Sequence, residues 1–166
     1  KINQDTVFTT TSFRYQQADA KLIAVPWARP EGAFLNIALQ YDVVQAGYYF
    51  ARAILVDAET QRPLLELQAE GPMQLGSGLL TLRAHVDALK AAGSEGPYVL
   101  RSINSYRGAE QGEAFDSPAG NLQQRYEVPG YDFDQYSNEE FVDPLAQERA
   151  EFLRELGSVA EQESEE

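Results

Sequence analysis

The dominant signal along this chain is an alternation of apolar and polar side chains with a period of two. Leu35, Ile37, Leu39, Tyr41 and Val43 alternate with Asn36, Ala38, Gln40 and Asp42. Successive side chains of an extended chain point to opposite faces, so one set lies on a core and the other in water. After the Gln45-Ala46-Gly47 break, Tyr48 to Val56 is apolar on both faces except at Arg52, which predicts a central strand. Asp57 to Arg62, closed by Pro63, predicts a turn. Leu65, Leu67 and Ala69 then alternate with Glu66, Gln68 and Glu70 until Gly71-Pro72 interrupts them. Gly76-Ser77-Gly78 opens a strand through Leu80, Leu82, Ala84 and Val86. A short helix is expected over Asp87 to Ala92, stopped by Gly93, because glycine readily takes the left-handed conformation that ends a helix. Gly96-Pro97 opens the next strand, Tyr98 to Tyr106.

Other segments carry a weaker pattern. Val7 to Tyr15, rich in Thr and aromatics, and Lys21 to Trp27, ended by Pro26 and Pro30, read as strands. Residues 108–120 hold three Gly and one Pro without periodicity and read as a long loop. Arg125 to Phe133 resumes strand character, bent or split by Pro129-Gly130, and its Pro argues against a central position. Strands at intervals of about ten residues, with Gly and Pro between them, predict a mainly β antiparallel sandwich. It would span residues 1–136. The end differs. Ser137-Asn138-Glu139-Glu140 fits a capping box and Asp143-Pro144 fits an N-cap with Pro at the first helical position. Leu145, Phe152, Leu153 and Leu156 recur at helical spacing, which predicts a C-terminal helix within residues 137–157, docked through its apolar stripe. Residues 158–166 read as a disordered acidic tail.

Charge sharpens this division. Residues 1–110 hold ten basic and eleven acidic side chains, whereas residues 111–166 hold three and fifteen, within a net of −13. Such a balance disfavours nucleic acid and anionic membrane surfaces as partners, since both recruit clustered Lys and Arg. The absence of cysteine excludes disulfides, thiolate metal sites and a cysteine nucleophile. The longest apolar runs, such as Ala53 to Val56, fall far short of the roughly 18 residues of a membrane span. The chain begins at Lys1 rather than Met, which we read as a processed chain or an excised piece of a longer one.

Candidate chemistry is sparse. His85 is the only histidine and lies out of phase with the inward set Leu82, Ala84 and Val86, so a solvent-facing or loop-bonded role is expected. No nucleophile elbow, phosphate-binding loop, GxGxxG or HExxH occurs, and no cofactor is expected. The stretch YDFDQYSNEEFVD concentrates Asp132, Asp134, Glu139, Glu140 and Asp143, the hard oxygen ligands that Ca²⁺ uses. Its spacing lacks the Gly and distal Glu of an EF-hand loop. We therefore favour a structural reading, with Tyr131 and Phe133 facing the core and Asp132 and Asp134 guarding an exposed strand. Trp27, in a loop-like stretch, is a candidate platform for stacking on a sugar ring. A hydrolase using a carboxylate pair is a further alternative without a motif behind it.

GYYFARAIL at 47 and GPYVLRSIN at 96 echo one another, either as a duplicated unit or, as we favour, as two strands leaving similar tight turns with an inward Tyr. The succession GYYFARAILVD, PLLEL, LGSGLLTL and GPYVLRSI resembles the strands of immunoglobulin-like sandwich domains of bacterial exported and surface proteins. It covers residues 33–106 and lacks the Cys and Trp hallmarks of antibody domains. The resemblance implies an Ig-like, non-catalytic accessory or spacer module of a longer envelope protein, periplasmic or at the cell surface. Its partners would be another protein or other domains of the same chain.

Overall fold

The computed structural model describes residues 17–137. Nine strands and one short helix follow in the order β1 (Ala20–Ala24), β2 (Ala28–Glu31), β3 (Phe34–Val43), β4 (Gly47–Asp57), β5 (Pro63–Met73), β6 (Gly76–His85), α1 (Val86–Ala92), β7 (Tyr98–Arg107), β8 (Ser117–Asn121) and β9 (Tyr126–Val128). A single 3₁₀ turn, Phe133–Gln135, comes last.

Two long strands organise the sheet. One edge of β3 carries β6 along its whole length, while β1 and β2 share the other. Likewise β7 has β4 on one edge and the short β8 and β9 on the other. The halves join where β1 runs parallel to β8, pairing Ala20 with Ala119, Lys21 with Gly120 and Leu22 with Asn121. The result is one curled, mixed sheet, a half-barrel. Its seam lies between β5 and β6, which a two-residue connection joins but no ladder pairs among the described residues.

The mainly β expectation holds, and two parts of it need correcting. The molecule is not an antiparallel Ig-like sandwich, because the β1/β8 ladder zips together edges that a sandwich leaves apart, and that ladder is parallel. The described helix is α1, internal rather than C-terminal. The predicted helix near 144–156, the tail 158–166 and the strand Val7 to Tyr15 lie outside the described residues. Smaller differences have local causes. Gly71-Pro72 does not interrupt β5, since the strand lies at an edge of the pairing, where an N–H is dispensable. The loop forecast for 108–120 holds as far as residue 116, after which Ser117–Asn121 pairs on both sides despite Pro118. Pro30 similarly hid β2.

The core fills the concave side. Every member of the inward set on β3, Leu35 through Tyr41, is fully buried, joined by Leu22, Leu55, Leu82 and Leu100. Helix α1 adds Leu89, and its ends are those the sequence demands. His85 Nδ1 accepts the Asp87 N–H at 3.1 Å as the N-cap, and Gly93 adopts φ 70° at the C-cap.

Both ends of the β4/β7 pair are locked by the same device. Tyr49 is buried and donates its hydroxyl to Gln45 O at 2.6 Å, four residues upstream. Tyr98 is buried and donates to Ser94 O at 2.8 Å, again four residues upstream. Each is a tyrosine corner, a side chain tying the entry of its strand to the turn before it. The preceding glycines are spatially required. A Cβ on Gly47 would lie 2.5 Å from Arg107 Cδ, and one on Gly96, at φ 84°, would lie 2.5 Å from Gly130 Cα. The echo between the two segments thus has a physical basis in similar turns with an inward Tyr.

At the Tyr49 end sits an ion cluster around a buried arginine. Arg107, with its side chain only 3% exposed, donates to Asp19 at 2.8 Å and to both oxygens of Glu113 at 2.8 and 2.9 Å. The Asp19 carbonyl accepts from Val44 N, Gln45 N and the Tyr49 hydroxyl, and the Asp19 N–H binds Pro118 O. One residue thus ties the start of β1 to β8, to the β3–β4 turn and to β4. At the Tyr98 end, Ser94 Oγ donates to Asp57 at 2.6 Å, and Asp57 also caps its own turn through Glu59 N and Thr60 N. Tyr49→Phe and Tyr98→Phe should each lower unfolding free energy by about 1–2 kcal/mol, the cost of losing a buried hydrogen bond. Denaturant unfolding checks this; no change in either variant would mean that the corners are ornamental.

Candidate functional site

Alternation also decides what faces water. On β4 the inward set Tyr49, Ala51, Ala53 and Leu55 leaves Tyr48, Phe50 and Arg52 on the convex face. Cross-strand pairing then brings Tyr106 of β7 to one side of Phe50 and Glu70 of β5 to the other. Phe50 and Tyr106 stack with centroids 5.0 Å apart and planes 18° apart, while Tyr48 meets Phe50 edge-on at 5.4 Å. Tyr48 is 46% and Tyr106 36% exposed. Three aromatic rings in one row on a water-facing sheet are unusual, because burial elsewhere would gain hydrophobic free energy.

This row borders a groove of about 480 Å³ lined by Phe50, Arg52, Gln68, Glu70, Thr81 and Tyr106, with Arg83 at the side of β6. The groove runs toward the unpaired seam between β5 and β6. Its carboxylates are engaged: Glu66, beside it, accepts from Arg52 at 3.0 Å and Gln68 at 3.2 Å, and Glu70 accepts from the Tyr48 hydroxyl at 3.4 Å. Gly108 allows the next loop to cross close to Phe50, where a Cβ would stand 3.2 Å from the ring.

The residues singled out in the sequence lie elsewhere. Trp27 is half-buried on the link between β1 and β2, its backbone carbonyl accepting Ala38 N, and the Arg29 guanidinium covers its ring at 4.6 Å. Asp132 and Asp134 are exposed at the 3₁₀ turn rather than on a strand. Gln135 Oε1 accepts the Asp132 N–H at 3.0 Å. Tyr131 and Phe133 pack on the core as expected, Tyr131 donating to Ala28 O. Glu139, Glu140 and Asp143 lie outside the described residues. Among the described residues no three His, Cys, Asp or Glu gather as a metal would require, and no helix is long and apolar enough to cross a membrane. His85 is exposed, as its phase implies, and caps α1. The aromatic row escaped notice because Tyr48 to Val56 is apolar on both faces, which looks identical whether the second face meets protein or water. The Tyr48, Phe50 spacing was its only signal.

The strongly shifted groups belong to architecture. The Ser94 hydroxyl and the backbone of its own turn hold Asp57 down at about 2, and the Arg107 guanidinium holds Glu113 at about 2. Arg107 is raised in turn, first by Glu113 and then by Asp19. Burial pushes Tyr41, whose hydroxyl meets Ser105 Oγ at 2.7 Å, up to about 12. No protein-family model and no curated protein matches the chain.

Depressed carboxylates set an acid limit. Their stabilisation is complete above the unfolded carboxylate value of about 4 and is lost as pH falls toward the folded value of about 2. Melting temperature should therefore hold above about pH 5 and drop steeply between about pH 4 and pH 2. Asp57→Asn should melt lower at neutral pH and converge with the parent near pH 2. A constant offset across that range would contradict the linkage.

Proposed function

We propose that this chain is a non-catalytic interaction module that docks a protein surface, supplied by a partner or by another domain of a longer exported bacterial envelope protein. The observation that carries this is the exposed Tyr48, Phe50, Tyr106 row flanked by Arg52 and Arg83. Aromatic and Arg side chains dominate the energetic centres of protein interfaces, where they desolvate large areas at little entropic cost. The stacking geometry argues against a sugar platform, because Phe50 and Tyr106 cover one another's faces and Arg29 covers Trp27. A hydrolase reading gains little from the groove, whose carboxylates already hold structural partners. The two tyrosine corners, which hold the strands that carry the row, are in keeping with a rigid module of this kind.

Photo-crosslinking tests the proposal. A benzoylphenylalanine at position 106, expressed in the source cells, should give a protein adduct that Phe50→Ala reduces at least several-fold. The same label at exposed Asp42 should not. An array showing saturable glycan binding lost in Phe50→Ala, with no protein adduct from position 106, would overturn it in favour of a carbohydrate-binding module.

A further inference from the structure

A second concavity lies farther along β7, independent of the aromatic row. The β4/β7 register shifts between Arg52 and Ile54, so that Ala53 stands opposite both Ser102 and Ile103. This is a β-bulge, and bulges re-aim the side chains beside them. Ser102 takes φ 51° and Gln61 φ 59°, the two non-glycine residues with positive φ among the described residues. Both converge on Arg101: Ser102 follows it in the chain, and Gln61 Oε1 accepts from its Nη2 at 2.5 Å. Backbone strain that a fold retains at one spot points to a use for that spot.

The concavity measures about 640 Å³ and is lined by Arg101, Ser102, Ile103, Asn121, Gln124 and Arg125. Asn121 is fixed by donating its amide to Ile103 O at 2.8 Å, which leaves its side-chain oxygen as an acceptor. Neither Arg101 nor Arg125 pairs with a carboxylate among the described residues, whereas Arg29, Arg52 and Arg107 all do. In a chain of net charge −13, two guanidinium groups without counter-ions on one cavity wall are a positive island.

We infer that this cavity binds a small hydroxylated carboxylate. A guanidinium presents its N–H groups in a fork that matches the two oxygens of a carboxylate. Ser102, Asn121 and Gln124 offer donors and acceptors suited to neighbouring hydroxyls. A carboxylate with neighbouring hydroxyls is favoured over inorganic phosphate because it engages the guanidinium forks and the neutral polar side chains together.

Titration of the intact chain with galacturonate, lactate, galactose and inorganic phosphate, followed by calorimetry and by Arg side-chain NMR signals, tests this. Galacturonate should bind saturably and shift both Arg101 and Arg125 signals, with galactose inert and phosphate weaker. Arg101→Gln and Arg125→Gln, both substitutions of water-accessible side chains, should each weaken binding at least about tenfold with melting temperature little changed. A carboxylate response unaffected by both variants, equal binding of galactose, or no saturable shift with either carboxylate would overturn the inference. Tighter binding of phosphate would overturn the choice of ligand class. Loss of the aromatic row by Phe50→Ala should leave this binding intact, which separates the two sites.

Discussion

The half-barrel depends on a buried positive charge. Taking the Arg107 guanidinium out of water costs several kcal/mol unless the geometry of its partners compensates. Here it does, with Asp19 and both oxygens of Glu113 within 2.9 Å. One partner is distant in the chain and one is near: Asp19 precedes β1, Arg107 ends β7, and Glu113 lies on the loop that leads to β8. Satisfying one charge therefore brings β1 beside β8, and the parallel ladder between them converts two groups of strands into one sheet. Gly47 completes the arrangement by giving the Arg107 stem room to lie against β4.

The opposite end relies on neutral and anionic hydrogen bonds instead. Tyr98 anchors to Ser94, Ser94 to Asp57, and the segment after β9 crosses Gly96 closely enough to exclude any Cβ there. Tyr131 N binds Glu95 O and Ser137 N binds Gly32 O, so the same segment bridges the β7 entry and the β2–β3 turn. With both ends of β4 and β7 held, the middle of the pair tolerates a bulge at Ser102, and the convex face of the same strands is free to carry the aromatic row. The row lies at the Tyr49 end of the pair, and the rigidity of that end suits the docking surface proposed for it, since pre-organised side chains lose little entropy on docking.

Strand existence was legible where one face is buried and the other wet, as on β6 and the outer half of β5, and also on β3, although Asn36 and Ala38 on its second face are buried rather than wet. It failed where proline masked a strand, at Pro30 and Pro118, and fell short at Pro72, because the sequence does not say which N–H groups lack partners. Architecture failed for a different reason. Whether two groups of strands face each other or join edge to edge is decided at β1 and β8, five residues each, and at an arginine whose partners lie 88 and 6 positions away. Neither leaves a periodic trace. The candidate sites were least legible, since stacking of Phe50 on Tyr106 and the gathering of Arg101 with Arg125 come from pairing across strands. Conversely, the acidic run that drew attention in the sequence holds Asp132 and Asp134 at a surface turn. The two glycine-tyrosine echoes proved informative, marking the two corners that lock β4 and β7.

Arg107 and Asp19 act as a coupled pair on which closure of the sheet depends. A double-mutant cycle with Arg107→Gln and Asp19→Asn, read by denaturant unfolding of the intact chain, measures that coupling directly. Breaking a buried pair from one side leaves an uncompensated charge, so each single variant should lose roughly 3 kcal/mol and the pair should couple by about 2 kcal/mol or more. A coupling below about 0.5 kcal/mol, the level of independent sites, would contradict the account.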